Sequence, residues 1–383
     1  MPTARRSTSL REARPALIAA LSGRALAAAA ARAGERAIVL DLFADRDTAR
    51  HAKACVALPR GPYGFARKAV LEAVARRAGE VRGLVYGAGF EHDPALLGDI
   101  AKLVSLLGNS PETVAAAKDP LAFAALLARL GLPHPPTTRE PPHGDGWLRK
   151  SIGGSGGGHI APASVAAPDA GDFYFQKRVA GRAVSAAFLA DGRSAHVLGF
   201  SEQWIAGDAA SPFRYGGCAG PVPLPPALAA AIEAACHAIA SALGLIGLNS
   251  LDLLIDGDGF HIIEVNPRPG ATLDIFDGQR GISLWRLHLD AVAGRLPSVP
   301  SDAPAETRAA AVVYAAERIV IPAAMAWPAW TADRGTAGTI VDRGEPVCTV
   351  RARAATARAA RDHAERRGAR LLAQLAAGQY PHT

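Results

Sequence analysis

Between residues 15 and about 108, short apolar runs alternate with alanine-rich stretches of helical period. Residues 16–21, 37–42, 84–86 and 104–107 have the length and continuous apolarity of buried strands, while 24–33 and 65–77 carry helical patterns. This alternation predicts a parallel sheet covered on both faces, an α/β domain over residues 1–108. Such sheets bind ligands beyond the carboxyl ends of their strands, which puts residues 22–24 and 87–91 beside a crevice.

The pattern then changes. Residues 118–130 predict a helix, closed by Gly131 and the proline-rich break at 133–136. From 147 to about 189 the chain predicts strands joined by glycine-rich turns. A proline-rich loop at 221–226 leads into a helix over 227–243, followed by strands at 251–255 and 261–265. Residues 305–383 predict a small α+β region, with a strand at 309–314, a hairpin over 339–351 and a long helix over 356–376. No internal repeat is visible.

Composition narrows the function classes. With 49% apolar and 20% charged residues the chain has the balance of a soluble globular protein. The formal charge of +7 comes from arginines scattered among alanines, with no clustered basic stripe and no aromatic platform, so nucleic acid is not an expected partner. A modest positive field suits nucleotides and carboxylates. Cys55, Cys218, Cys236 and Cys348 lie far apart and form no CxxC pair, which argues against a disulfide framework or a zinc site. Arg5, Arg6, Arg11 and Arg14 before an apolar run imitate a signal peptide, but Ser22-Gly23-Arg24 interrupts it early. A strand, a turn and a helix are expected there, in a cytoplasmic protein. No stretch is expected to reach the length of a membrane span.

Two features carry chemistry. The first is Trp147-Leu148-Arg149-Lys150-Ser151-Ile152-Gly153-Gly154-Ser155-Gly156-Gly157-Gly158-His159, a strand ending in lysine that runs into five glycines and a serine. Glycines let backbone N–H groups approach an anion closely, and the lysine adds a compact charge for phosphate oxygens. It is neither a Walker loop nor a dinucleotide fingerprint. A glycine run alone is equally a flexible surface loop. Lysine usage tips the balance: the chain has six lysines against thirty-six arginines, and one of the six precedes this loop directly.

The second feature joins Leu251-Asp252-Leu253-Leu254-Ile255 to His261-Ile262-Ile263-Glu264-Val265-Asn266-Pro267-Arg268. Glu264 and Asn266, two apart on a strand, share a face, with Ile263 and Val265 expected on the other. A three-residue loop at 257–259 would set Asp252 directly opposite Glu264; a two-residue loop would put them on opposite faces. On a shared face, Asp252, Glu264 and Asn266 would repel without a cation, and hard oxygen ligands beside a phosphate cradle imply Mg²⁺. The alternative is a solvent-facing side of an edge hairpin. Arg268, held between prolines, is a candidate for phosphate or carboxylate recognition.

Together these segments resemble the ATP-grasp superfamily, especially its biotin-carboxylase-related branch of carboxylate–amine ligases, from about residue 109 to 270. The resemblance implies an ATP-grasp fold, with a preceding α/β domain and an ATP-grasp domain over 109–304 that contains a lid at about 134–182. By this similarity Lys118 is the lysine that reaches the nucleotide phosphates, Lys150 the second lysine, near adenine and the α-phosphate, and Gly153, Gly154, Ser155, Gly156 and Gly157 belong to the loop that closes over the β- and γ-phosphates. Gln176 would address the adenine amino group, with backbone from Lys177 to Val179 completing the base pocket. Asp252, Glu264 and Asn266 match the Mg²⁺ positions, where Mn²⁺ is a plausible substitute, and Arg268 the phosphate-side arginine, with Lys150 and Arg268 as the catalytic pair. Two departures stand out: Gln176 where glutamate is common, and Ala183, with Ser185 nearby, where an acid usually meets the ribose.

The implied reaction forms an acyl phosphate from ATP and a carboxylate, which an amine then attacks, releasing ADP and phosphate. No covalent nucleophile or general base stands out; His159 and His261 are candidates by proximity alone. The expected partners are a small carboxylate and a small amine, with no membrane and with a homodimer compatible. Arg24, Phe90, Glu91 and Arg214 are candidates for the acceptor site, and an amino-acid ligase of cofactor synthesis is the leading specific reading. The alternatives are a biotin-carboxylase-like carboxylase, a phosphotransferase, and a regulatory ATP-binding protein with a decayed site.

Overall fold

The short apolar runs of the N-terminal segment form the expected parallel sheet in the computed structural model, which describes residues 14–62, 64–165, 171–281, 283–296 and 306–377. Strands β1 (Leu17–Ala19), β2 (Ile38–Asp41), β3 (Ala54–Ala57) and β4 (Leu84–Tyr86) stand in the order β3-β2-β1-β4. Helix α1 (Arg24–Arg32) packs on the face of Ile18, Val39 and Val85. Helices α2 (Arg67–Arg77) and α3 (Pro94–Ala101) cover the face of Leu17, Leu40 and Leu84. Residues 16–33 are thus a core strand, turn and helix; Arg5, Arg6 and Arg11 lie outside the described residues.

The expected strand at 104–107 shrinks to one parallel bridge, Leu84 to Leu106. The chain turns away at once because Asn109 is tied elsewhere: its amide donates to Asn249 Oδ1 and the Pro267 carbonyl, and its oxygen accepts from the Ile246 N–H. The expected helix over 118–130 is two helices, α4 (Pro111–Lys118) and α5 (Pro120–Arg129). Pro120 cannot continue α4, and the Asp119 carboxylate caps α5 by accepting the Leu121 and Ala122 N–H groups.

Four short antiparallel strands follow, β5 (Thr137–Thr138), β6 (Trp147–Ser151), β7 (Ile160–Pro162) and β8 (Phe173–Lys177), in the order β5-β8-β6-β7. The rest of the chain builds one eight-stranded sheet from β9 (Arg182–Asp191), β10 (Ala195–Ile205), β11 (Tyr215–Gly220), β12 (Ile246–Asp256), β13 (Gly259–Asn266), β14 (Thr307–Tyr314), β15 (Thr331–Ala332) and β16 (Pro346–Ala354). Its order is β13-β12-β9-β10-β11-β14-β16-β15, so the C-terminal strands extend the same sheet through β11 and β14. The expected hairpin over 339–351 does not form. Ile340–Val341 pairs with Ile319–Val320, whereas β16 pairs with β14 and β15, where Val347, Val350 and Ala352 reach the core.

One face of this sheet buries α6 (Pro226–Leu243) through Leu228, Ile232, Ala235, Cys236 and Ile239. By length and composition α6 could cross a membrane, which corrects the expectation that no stretch reaches that length; here its apolar stripe lies against Val184, Ala186 and Phe188. The same face receives α8 (Ala357–Ala376), capped by Thr356. The opposite face meets the N-terminal domain, with Ala187, Leu189, Cys218 and Ala310 joining Ile18, Val39 and Val85 in one cluster beside α7 (Leu284–Val292). All four cysteines are free.

Candidate active site

The hairpin β12–β13 reaches the face-sharing register by a route different from the expected one. Asp256 pairs with Gly259, so the loop is the two-residue Gly257-Asp258, with Gly257 at φ +56°. From that end Leu253 pairs with Ile262, yet the next pair is Asp252 with Glu264. Ile263 is an extra residue, a β-bulge, and it undoes the parity that the two-residue loop imposes. Without it Glu264 would share the face of Leu253. With it Ile262 and Val265 both enter the core, while Glu264 joins Asp252 and Asn266 joins Ser250 on the face toward the N-terminal domain. Ile263, expected opposite Glu264, lines the cleft instead.

Side chains from four other elements close on this acidic pair. Lys118, the last residue of α4, donates from Nζ to Glu264 Oε2 at 3.2 Å and Asn266 Oδ1 at 2.9 Å. Asn266 Nδ2 in turn donates to Asp252 Oδ2 at 3.0 Å. Gln203, on β10, reaches diagonally across the small Ala183 and Ser185 of β9 to donate to Asp252 Oδ1 at 3.2 Å. Lys150, buried at the end of β6, donates to Gln176 Oε1 at 2.7 Å, and Gln176 Nε2 points to the bulge carbonyl of Ile263 at 3.5 Å.

The charges respond to this setting. Burial, then the neighbouring Glu264, raises Asp252 above the ordinary carboxylate range. Burial would also raise Glu264, but Lys118, Lys150 and His159 outweigh it and hold the group below its ordinary value. Desolvation lowers the Lys150 ammonium. Two carboxylates and an amide oxygen make a hard donor set of the kind Mg²⁺ or Mn²⁺ takes. No group of three or more His, Cys, Asp or Glu able to hold a metal occurs among the described residues, so such a cation would draw its other ligands from a bound molecule or water.

A cleft open to solvent lies between α4–α5, strands β5, β6 and β8 and the hairpin. Lys118, Gly153, Gly154, Gln176, Ile263 and Glu264 line it. Ser155 and Gly156 form the exposed tip of the glycine loop. Two of its glycines are required by close approach. A Cβ on Gly153 would lie 2.4 Å from the Glu91 carbonyl, and one on Gly157 would lie 2.0 Å from the Phe213 carbonyl. The loop is drawn over the site by the Tyr215 N–H, which donates to the Gly156 carbonyl at 2.8 Å, and by His92 Nδ1, 2.8 Å from the Ile152 carbonyl.

The remaining candidates divide. Arg268 lies half-buried near the acidic pair, its Nε donating to Glu91 Oε1 at 2.7 Å. Lys177 turns its side chain away from the cleft, to the Asp145 carbonyl and the Trp147 ring, and its N–H donates to the Pro136 carbonyl. Val179 follows on the connection to β9, half-buried. Ser185 sits across from Asp252. His159 lines the cleft with Nδ1 buried and without a hydrogen bond, whereas His261 pairs across from Leu254 near the hairpin turn, away from it. Phe90 is core, packed on Phe65 and Tyr86. Arg214 is spent on the Ala206 and Gly344 carbonyls, Asp208 and the Tyr314 ring. Sequence reasoning missed Gln203 and Asn109. Asn109 ends an unremarkable Gly-Asn pair, and Gln203 lies in a strand with no local signal, 49 residues from the carboxylate it meets.

Residues 117–272 match the family model of the ATP-grasp domain. A search of curated protein sequences finds no match. Among solved structures, 92% of this chain superimposes on pyruvate carboxylase from Rhizobium etli with a TM-score of 0.71 at 18% identity, covering 37% of that longer chain. An L-amino acid ligase from Bacillus licheniformis aligns over 92% of this chain and 97% of its own, with a TM-score of 0.65 at 16% identity. N5-carboxyaminoimidazole ribonucleotide synthetase from Thermus thermophilus aligns over 94% and 98%, with a TM-score of 0.66 at 18% identity. Residues 117–272 thus carry an ATP-grasp domain, in a chain that shares its fold along its length with these structures.

Proposed function

We propose that the chain is an ATP-dependent carboxylate–amine ligase, with residues 109–304 as its ATP-grasp domain and about 134–182 as the lid. The observation that carries this reading is the acidic pair Asp252 and Glu264 on one face, under a glycine loop and beside the ammonium groups of Lys118 and Lys150. Magnesium held by Glu264, Asn266 and Asp252 would neutralise nucleotide phosphates. Lys118 and Lys150 would steady phosphate oxygens as compact charges, and the N–H groups of the glycine loop would cradle the terminal phosphates. Phosphoryl transfer to a carboxylate asks for positioning and charge neutralisation more than for a protein nucleophile, which suits a site without one. The closed glycine loop would keep water from the acyl phosphate until an amine attacks.

Gln176 Oε1 accepts from Lys150 at 2.7 Å, and its second lone pair would address the adenine amino group, with backbone from Lys177 to Val179 completing the base pocket. The fold shared with the L-amino acid ligase supports a ligase of amino-acid-like substrates. A screen of paired acids and amines with Mg²⁺-ATP tests this reading by phosphate release and product mass. ADP and phosphate should appear only when both co-substrates are present. Release of AMP and pyrophosphate would replace the acyl-phosphate reading with adenylation.

A further inference from the structure

Arg268 is largely buried, its side chain 11% exposed, and its guanidinium is only partly used within the protein. Nε donates to Glu91 Oε1 at 2.7 Å, but the four terminal N–H groups make only long contacts, Nη2 to Asn266 Oδ1 and Nη1 to the Pro269 carbonyl, each at 3.4 Å. A guanidinium with so little exposure normally has its donors satisfied, so the terminal nitrogens are set for an anion. What fixes their direction comes from the other domain. Glu91 follows β4, is 4% exposed, and is itself fastened by the Gly89 N–H at 2.7 Å and the Phe90 N–H at 3.0 Å on Oε2. One carboxylate oxygen is thereby anchored to backbone and the other holds Arg268.

The same short segment touches the glycine loop. Gly153 is seated against the Glu91 carbonyl and the His92 Cα, and His92 Nδ1 meets the Ile152 carbonyl. Residues 91 and 92 therefore contact both Arg268, through the Glu91 side chain, and the glycine loop, through backbone and the His92 ring.

We propose that Glu91 is a positioning residue, which aims the terminal nitrogens of Arg268 at the last phosphoryl group of the nucleotide. The assignment rests on the nucleotide half of the proposed function and is independent of which acid and amine are joined. It replaces the expectation that Glu91 contacts the acceptor directly.

The test compares affinities for Mg²⁺-ADP and for the imido analogue of Mg²⁺-ATP by titration calorimetry in four proteins: the natural chain, Glu91→Gln, Arg268→Gln and the double variant. The ratio of the two affinities isolates the terminal phosphate. Arg268→Gln should lower the preference for the triphosphate by about tenfold or more, in the range of a charge-assisted hydrogen bond. Glu91→Gln should lower it nearly as much, and the double variant no further than Arg268→Gln alone, because the two act as one unit. An unchanged ratio in either single variant overturns the assignment, as does a fully additive loss in the double variant. Should Glu91→Gln fail to fold, Glu91→Asp keeps the charge but shortens the reach; an unchanged ratio in that variant also overturns it. If the natural chain binds neither nucleotide, the ATP reading itself falls, an outcome distinct from failure of the Glu91 assignment.

Discussion

Two arginines, the buried Arg24 and the largely buried Arg268, lie between the N-terminal domain and the large sheet, and the use of their donors differs. Arg24 spends its guanidinium on two carboxylates, with Nη1 and Nη2 on Asp274 at 2.5 and 2.6 Å and Nε and Nη2 on Asp333 at 3.1 Å each. Asp333 is also held by Ser22 Oγ at 2.9 Å. Arg268 has one short contact and two long ones. The sequence marks both as candidates for substrate binding. The contrast indicates that a saturated buried ion network joins parts of the fold, here α1, the short helix Leu273–Phe276 and the C-terminal region, whereas an unsaturated one is set for a ligand.

The largest effect that could break this comparison is Arg24→Ala. It strands Asp274 and Asp333 in a buried setting and should cost about 3–5 kcal/mol of folding stability, read by urea denaturation. Unchanged stability with abolished turnover would instead make Arg24 a substrate group. On the ligand side, Glu264→Gln should lower Mg²⁺-dependent ADP release about 100-fold, roughly 2.7 kcal/mol, with little change in the urea midpoint because Glu264 opens to the cleft. A fully active variant removes Glu264 from the metal role.

Asp45 sharpens the structural side. It is buried near Asp333, Asp41 and Asp47, and burial, followed by those charges, raises it to about 8, with Arg24 only partly offsetting them. A carboxyl raised in the folded state contributes its full stability below its unfolded value near 4, and that contribution is lost as pH climbs through the folded value. Asp45→Asn should therefore match the natural chain near pH 4 and exceed it by on the order of 2 kcal/mol above pH 8 in paired denaturation curves. A constant difference across pH would show that Asp45 does not titrate in this window.

The smallest effect separates two loop glycines. Gly156 sits at φ +71° with open space around its Cβ position, so Gly156→Ala carries only left-handed strain of about 1 kcal/mol and should weaken nucleotide binding by about fivefold. Gly157→Ala must also displace the Phe213 carbonyl and should weaken binding more. Equal effects would mean that the seat on Phe213 is not needed for closure.

Local chemistry explains how much was legible in the sequence. The N-terminal strands, α1 and α6 follow continuous apolar runs and helical spacing, and Thr356 announces α8 as its cap. The glycine loop and the acidic hairpin were visible because their residue types are unusual for their positions. The break at Asp119 was equally written in Asp-Pro but was absorbed into a longer helical pattern. Contacts between residues far apart in sequence left no local mark: Glu91 with Arg268, Gln203 with Asp252, and the diversion of Lys177 to Trp147.

By itself the sequence determined that 251–255 and 261–265 would be paired strands carrying acids, because alternation and turn residues act over a few positions. Whether Asp252 and Glu264 would meet was decided only by the folded sheet. The two-residue turn favoured opposite faces, and the bulge at Ile263 reversed it, since burying Ile262 and Val265 together under the sheet is possible only if one residue drops out of register. That choice is made by packing partners more than a hundred residues away along the chain, such as Phe123 and Leu127 in the same core, which no window of local sequence contains.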